Sequence, residues 1–258
     1  MRNLATDQHI CWTYDDPKQL YDYARSYLDA GLAAGQRAWF AGLADPGWLP
    51  DGAEFVSLES TYAAGAVVDP KAQVAAYAAA TEAALAAGHT GLRVFADCAA
   101  LVRTDAELDA FARYEALVDR FIAVAPMQAV CALHRAEAGE RAVGELACLH
   151  PRTNATEARF TLRGDPYASG TALLSGELDN GADLLFPVAL DRVAPHPEHG
   201  QIVFDAHGLH FVDHRALLHL QRYAERRDVT VVLRTSLATA ARLVELLRLA
   251  RIRIEAAG

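Results

Sequence analysis

Residues 9–28 read HICWTYDDPKQLYDYARSYL. Ile, Trp, Thr and Tyr make His9–Tyr14 a strand by composition. Asp15 or Asp16 can then cap a helix whose first position is Pro17, where a missing N–H costs nothing. Leu20, Tyr23, Ala24, Tyr27 and Leu28 recur at helical spacing and mark its apolar face. Strand, capped turn and amphipathic helix in succession form the repeating unit of an α/β fold.

The alternation continues outward from that stretch. Arg37–Ala41, Phe55–Leu58, Leu92–Ala96 and Met127–Leu133 read as strands. Asp69-Pro70 opens an alanine-rich helix reaching Ala87, and Thr104 with Glu107 forms a capping box ahead of a helix reaching Ala123. Gly139–Leu149 reads as a short helix. This order implies a mainly parallel sheet with helices on both faces. The polar, turn-rich Pro151–Thr156 marks a boundary between a domain over 1–151 and a smaller α/β domain over 157–258. In the latter, strands are expected near Ala158–Leu162, Ala172–Ser175, Ile202–Phe204 and Val229–Leu233. Helices are expected over Asn180–Val193, Ala216–Arg226 and Leu237–Leu247, with Asp205–Gly208 as a turn.

Length and composition narrow the function. The 258 residues suffice for two modest domains with real cores. No apolar run approaches the roughly 20 residues of a membrane helix, and the acidic start lacks the profile of a signal peptide, so a cytoplasmic protein is expected. A net charge of −9 argues against nucleic acid as the partner. Cys11, Cys98, Cys131 and Cys148 form no CxxC pair and read as buried thiols. The six histidines His196, His199, His207, His210, His214 and His219 read as surface residues, and no metal or cofactor is expected.

The first half resembles the MEDS domain, a methanogen and methylotroph sensory module. The likeness rests on His9-x-Cys11, Gly31-Leu32 with Gly35-Gln36-Arg37, and Gly91-Leu92-Arg93-Val94. It continues through Tyr114-Glu115, Val130-Cys131 and His150-Pro151. It implies a RecA/KaiC-like parallel sheet joined to a regulatory output module. A phosphate loop needs glycines, a Lys and a hydroxyl. Residues 13–19, TYDDPKQ, have no Gly, and Gln19 stands where the hydroxyl would be, so the P-loop is degenerate. Asp97 ends a strand where a Walker-B-like acid would lie, and reads either as a helix cap or as a ligand contact. His9, Cys11, Tyr14, Asp15 and Asp97 would border a crevice at the carboxyl ends of the strands, a candidate small-molecule site. Tyr114 reads as core with its hydroxyl at the surface, Glu115 as solvated or paired.

The second half resembles the STAS domain of anti-sigma factor antagonists, on Gly176–Asp179 (GELD) and Phe211–Ala216 (FVDHRA). In that family a kinase phosphorylates a Ser after the Asp, and the added charge breaks the partner contact. Here Asp213 is followed by His214 and Arg215. His214 has three readings: an inert helix start, a docking residue no kinase can switch, or a phosphohistidine or pH-sensitive contact. The nearest remaining hydroxyls are Thr235 and Ser236. The two resemblances imply a non-enzymatic regulator whose partner is an anti-sigma factor or histidine-kinase-like protein; a self-assembling homo-oligomeric module is a further reading, since STAS-like and RecA-like faces both dimerise. A sensor that holds a small molecule or nucleotide in the first domain is the alternative.

Overall fold

Strand β1 (His9–Tyr14) begins the chain described by the computed structural model, which covers residues 8–58 and 67–256. Contacts divide it after Ala155, with Ala147–Leu149 grouped with the second unit. The first unit alternates as its sequence implies. Helix α1 (Pro17–Ala33) is followed by β2 (Arg37–Gly42), β3 (Ala53–Ser57) and α2 (Pro70–Ala86). Then come β4 (Leu92–Asp97), α3 (Asp105–Ile122), β5 (Met127–His134), α4 (Arg135–Ala147) and β6 (Arg152–Thr153). All pairings in the six-stranded sheet are parallel, in the order β3-β2-β4-β5-β1-β6.

The caps explain the helix starts. Asp16 accepts the Lys18 N–H at 2.7 Å with Pro17 at the first position, and Asp69 accepts from Lys71 and Ala72. Thr104 and Glu107 close the capping box expected from their spacing. Two differences have local causes. The third strand starts at Ala53, before Phe55. The fourth helix starts at Arg135 and is interrupted at Gly139, whose φ of 76° no helical residue adopts.

Strand alternation assigns side chains to the two faces. Tyr14, Phe40 and Phe95 pack under α1 with Ala24, Tyr27 and Leu28. On the other face Val94, Ala96, Ala129 and Cys131 lie with Tyr77 of α2 and Phe111 of α3. On α3 the buried positions include Leu108, Phe111, Ala112, Glu115, Val118, Asp119 and Ile122. That is a helical stripe of core residues with two carboxylates one turn apart inside it.

The second unit has β7 (Phe160–Gly164), β8 (Thr171–Leu178), α5 (Leu185–Val193) and β9 (Gln201–Val212). It continues with α6 (His214–Arg227), β10 (Thr230–Thr235), α7 (Ala238–Leu246) and β11 (Ile252–Ala256). Its sheet runs β11-β10-β9-β8-β7, parallel except for the antiparallel β7–β8 pair.

The turn expected at Asp205–Gly208 is strand here, and so is most of GELD. Asp205–Gly208 lies inside the twelve-residue β9, and Gly176–Leu178 of GELD ends β8. Bulges account for both. Leu173 pairs with Asp205 but Ser175 with Gly208, and Gly176 pairs with Leu209 but Glu177 with Phe211. The extra residues on β9 are absorbed without leaving the sheet. Glycine is needed at 176: its φ is +92°, and a Cβ there would sit 2.2 Å from the Arg159 carbonyl oxygen. Gly176→Ala is expected to destabilise the second unit by about 1–3 kcal/mol. Hydrogen exchange should show faster opening of β8 and β9 amides, and unchanged protection would refute the bulge assignment.

Candidate functional site

The buried face of β1 carries His9, Cys11 and Thr13, because alternate residues point the same way. Cys11 lies opposite Cys131 of β5 in the parallel register. Helix α3 turns Glu115 and Asp119 toward this face, and His150 arrives from the segment just before β6. The ligating atoms of His9, Glu115, Cys131 and His150 all lie within 4.8 Å of one another, and all four residues are buried.

The distances define the cluster. Glu115 Oε2 stands 3.0 Å from His9 Nε2 and 3.1 Å from His150 Nε2. The Cys131 thiol donates to Glu115 Oε1 at 3.2 Å, and its sulfur is 3.8 Å from His9 Nε2. On the outer side His9 Nδ1 donates to Asp119 Oδ1 at 3.0 Å, and His150 Nδ1 donates to the Leu146 carbonyl at 2.9 Å. The two imidazoles pack with centroids 4.1 Å apart.

Electrostatics follow from this enclosure. Burial favours the neutral form of Glu115, but the charges of His150 and then His9 outweigh it and hold the carboxyl at about 2. Burial disfavours protonation of His9, yet contacts with Asp119, Cys131 and Glu115 hold its pKa well above the ordinary value. The contact with Cys98, together with burial, pushes the Cys131 thiol well up.

The fragments HxC, YE, VC and HP, scattered over more than a hundred residues of sequence, each place a residue in or beside this one cluster. Residues 8–151 match the sequence family described as the MEthanogen/methylotroph, DcmR Sensory domain, MEDS. That match takes in more than half of the chain. The chain belongs to the MEDS family. No curated protein and no solved structure matches it. Membership gives the protein a sensory or regulatory role.

The remaining MEDS fragments are architectural. Arg93 donates to Gln36 Oε1 at 2.7 Å and to the Tyr27 carbonyl at 3.1 Å, and also reaches Gln128. Gly91 lets the chain pass the Pro126 carbonyl, which a Cβ would meet at 2.2 Å.

The expected crevice is redrawn. His9 is the first residue of β1, at the amino end of the parallel sheet, and its side chain is enclosed under α3. Cys11 is buried on the same face. Neither borders the carboxyl-end crevice, since alternation sends both away from the face of Tyr14. Tyr14 does donate to Asp97 Oδ1 at 3.1 Å, and burial raises the pKa of both groups, with their mutual contact adding to the shift on Tyr14. Asp97 lines a cavity of about 180 Å³ with Leu20, Phe40, Gly42 and Glu137. Asp15 is exposed beside Arg135 at 4.0 Å, and Lys18 pairs with Asp22 at 2.6 Å along α1.

In the second unit the two quoted stretches meet. Asp179 caps the short turn of helix over 180–182, and Asp213 caps α6 through the Ala216 N–H at 2.9 Å. The Asp213 N–H donates to the Leu178 carbonyl at 2.9 Å. Arg215 hydrogen-bonds Asn180 and lies 3.6 Å from Asp183, which also accepts from His219 at 2.9 Å. His214 is exposed at the first position of α6. Outside the MEDS cluster, the described residues bring no three metal-type side chains together, so the six carboxy-terminal histidines form no site.

Glu115 and Asp119 had the one sequence signal that could have found the cluster: both fall on the apolar stripe of α3, not on its wet face. Glu115 is fully buried, and Tyr114 is buried as well.

The cluster makes the MEDS unit sensitive to pH on both sides. Glu115's stabilisation is complete above its ordinary 4.5 and is lost as pH falls toward about 2. That of His9 is complete below its ordinary 6.5 and is lost as pH rises through its raised folded-state value. All three tryptophans, Trp12, Trp39 and Trp48, lie in this unit, so their fluorescence reads it alone. In chelator-treated protein, Glu115→Gln should cost about 3–5 kcal/mol, the penalty for breaking a buried ion pair, and should abolish the acid limb. A wild-type urea midpoint that stays flat from about pH 5 down to about pH 2 would contradict the assignment.

Proposed function

We propose that the protein is a cytoplasmic regulator in which the MEDS unit receives a signal and a STAS-like second unit binds a protein partner without phosphorylation. The partner class is an anti-sigma factor or a histidine-kinase-like ATPase, and the protein acts by binding, not by turnover. Among the described residues no helix is long and apolar enough to cross a membrane.

One observation carries this reading. The GELD and FVDHR stretches are joined by the Asp213 N–H to Leu178 carbonyl hydrogen bond and, at the residue after GELD, by the Arg215–Asn180 bond, with exposed apolar side chains nearby. Leu184, next to Asp183, is 86 % exposed, and Phe211, opposite Glu177, is 48 % exposed. Large apolar side chains rimmed by Arg, Asp and His have the composition of an interaction site. His214 occupies the helix start where the STAS family, which this unit resembles, carries its hydroxyl. With no phosphate to add, charge on this face is fixed by Arg215 and Asp183, and binding is governed by the first unit's state.

A second reading has one observation of its own. The 180 Å³ cavity with Asp97 and Glu137 in its lining offers room for a small molecule in the MEDS unit. It would supply the signal to the same regulator, or be the whole function of a ligand-binding sensor.

Affinity capture with the tagged full chain in its native host tests the proposal. A histidine-kinase-like ATPase or anti-sigma factor is the expected partner. Leu184→Asp should weaken its binding by about 30-fold or more, the equivalent of a hot-spot loss of ~2 kcal/mol. Arg215→Glu should weaken it as well, and His214→Ala should leave it intact. Binding that ignores Leu184 and Arg215, or that requires a phosphorylated chain, would overturn the reading.

A further inference from the structure

Hydrogen bonding does not account for the His9–Glu115–Cys131–His150 cluster. Burying a carboxylate, a thiol and two imidazoles together is costly unless each polar atom finds a partner. Asp119 and the Leu146 carbonyl satisfy the outer nitrogens. The inner side is different. Glu115 Oε2 and His150 Nε2 are buried and make no hydrogen bond, although they stand 3.1 Å apart. Nor does His9 Nε2, 3.0 Å away, supply one to that oxygen. The atoms stand at contact distance, yet Glu115 Oε2 and His150 Nε2 have no hydrogen-bond partner.

That is how metal ligands are arranged. A tetrahedral ion with bonds of about 2.1 Å to N or O and about 2.3 Å to S separates its ligand atoms by about 3.4–3.6 Å. The separations of 3.0, 3.1, 3.2 and 3.8 Å lie on both sides of those edges, and no two ligand atoms are more than 4.8 Å apart. The outer contacts also fit. Each imidazole donates Nδ1–H to an oxygen, which fixes the tautomer and leaves the Nε2 lone pair pointing inward. The donor set is chemically selective. Two imidazoles, a thiolate and a carboxylate suit zinc and its borderline neighbours, whereas calcium and magnesium prefer all-oxygen sites. A thiolate and a carboxylate also balance a dipositive charge.

We propose that His9 Nε2, Glu115, Cys131 Sγ and His150 Nε2 bind one zinc-class divalent transition ion inside the MEDS unit. As the ion enters, the Cys131 thiol proton and any proton on an Nε2 pass to solvent. Bound, the ion joins β1, α3, β5 and the segment leading into β6. Asp119 is a positioning residue that orients His9. A cavity of about 20 Å³, room for a single water, borders Glu115 and Cys131 and is otherwise largely apolar, with Tyr77, Val94 and Phe111 in its wall. Four protein ligands with so little free space beside them describe a closed site that holds its ion. Metal binding in the MEDS unit and partner binding on the second unit can fail separately.

The test is a cobalt titration of the chelator-stripped full chain, with elemental mass spectrometry of the protein as purified. One ion per chain is expected, with the intense visible bands of tetrahedral cobalt and a sulfur-to-cobalt charge-transfer band. Zinc should displace the cobalt. Cys131→Ser should abolish the charge-transfer band, Asp119→Asn should weaken binding by about 10- to 100-fold, and Cys148→Ala in the second unit should change nothing. No uptake by the wild-type chain, a weak octahedral spectrum, or a charge-transfer band that survives Cys131→Ser would each overturn the proposal. The wild-type titration decides the matter even if a variant fails to fold.

Discussion

A carboxylate without access to water sets the terms for the first unit. Glu115 lies on the core stripe of α3, where a charge is tolerated only if its surroundings answer it. Two imidazoles and a thiol do so, and each comes from a different part of the chain. His9 opens β1, Cys131 lies in the middle of β5, and His150 precedes β6. The parallel order β4-β5-β1-β6 under α3 is therefore also what assembles the cluster. A shift of β1 by one residue would turn His9 to the α1 face and leave Glu115 and Asp119 without it.

The architecture was legible from sequence because it depends on local signals. Caps at Asp16, Asp69 and Thr104, a Pro at the first helical position, and apolar runs of strand length specify elements before any tertiary contact forms. The reading went astray where tertiary pairing overrides local composition. Asp205–Gly208 has the residues of a turn, yet β8 accommodates it through bulges, with Ser175 packed against Gly208. Strand β6 has only two residues and carries no pattern, whereas β11 has a strand signal in its alternation of Ile252 and Ile254 with Arg253 and Glu255.

The site was legible only as fragments. HxC, YE, VC and HP each supplied a residue to the cluster, but the crevice at the carboxyl ends of the strands attracted His9 and Cys11 because ligands in open α/β sheets usually bind there. Strand alternation decides against it: His9 and Cys11 share the α3 face, while Tyr14 and Asp97 share the α1 face. Sequence spacing could not reveal that residues 9, 115, 131 and 150 converge, since their separations reflect crossovers and not a local motif. In the second unit the opposite holds. Asp213, His214 and Arg215 are consecutive and their cap geometry is local: Asp213 caps α6, and Arg215 lies beside Asn180 and Asp183.

What neutralises Glu115 is therefore the deciding question. A crystal structure of the full chain with anomalous data collected across the zinc edge measures this most directly. A single anomalous peak is expected at about 2.0–2.3 Å from His9 Nε2, a Glu115 oxygen, Cys131 Sγ and His150 Nε2. A featureless anomalous map, with both Nε2 atoms turned into well-formed hydrogen bonds to Glu115, would contradict it.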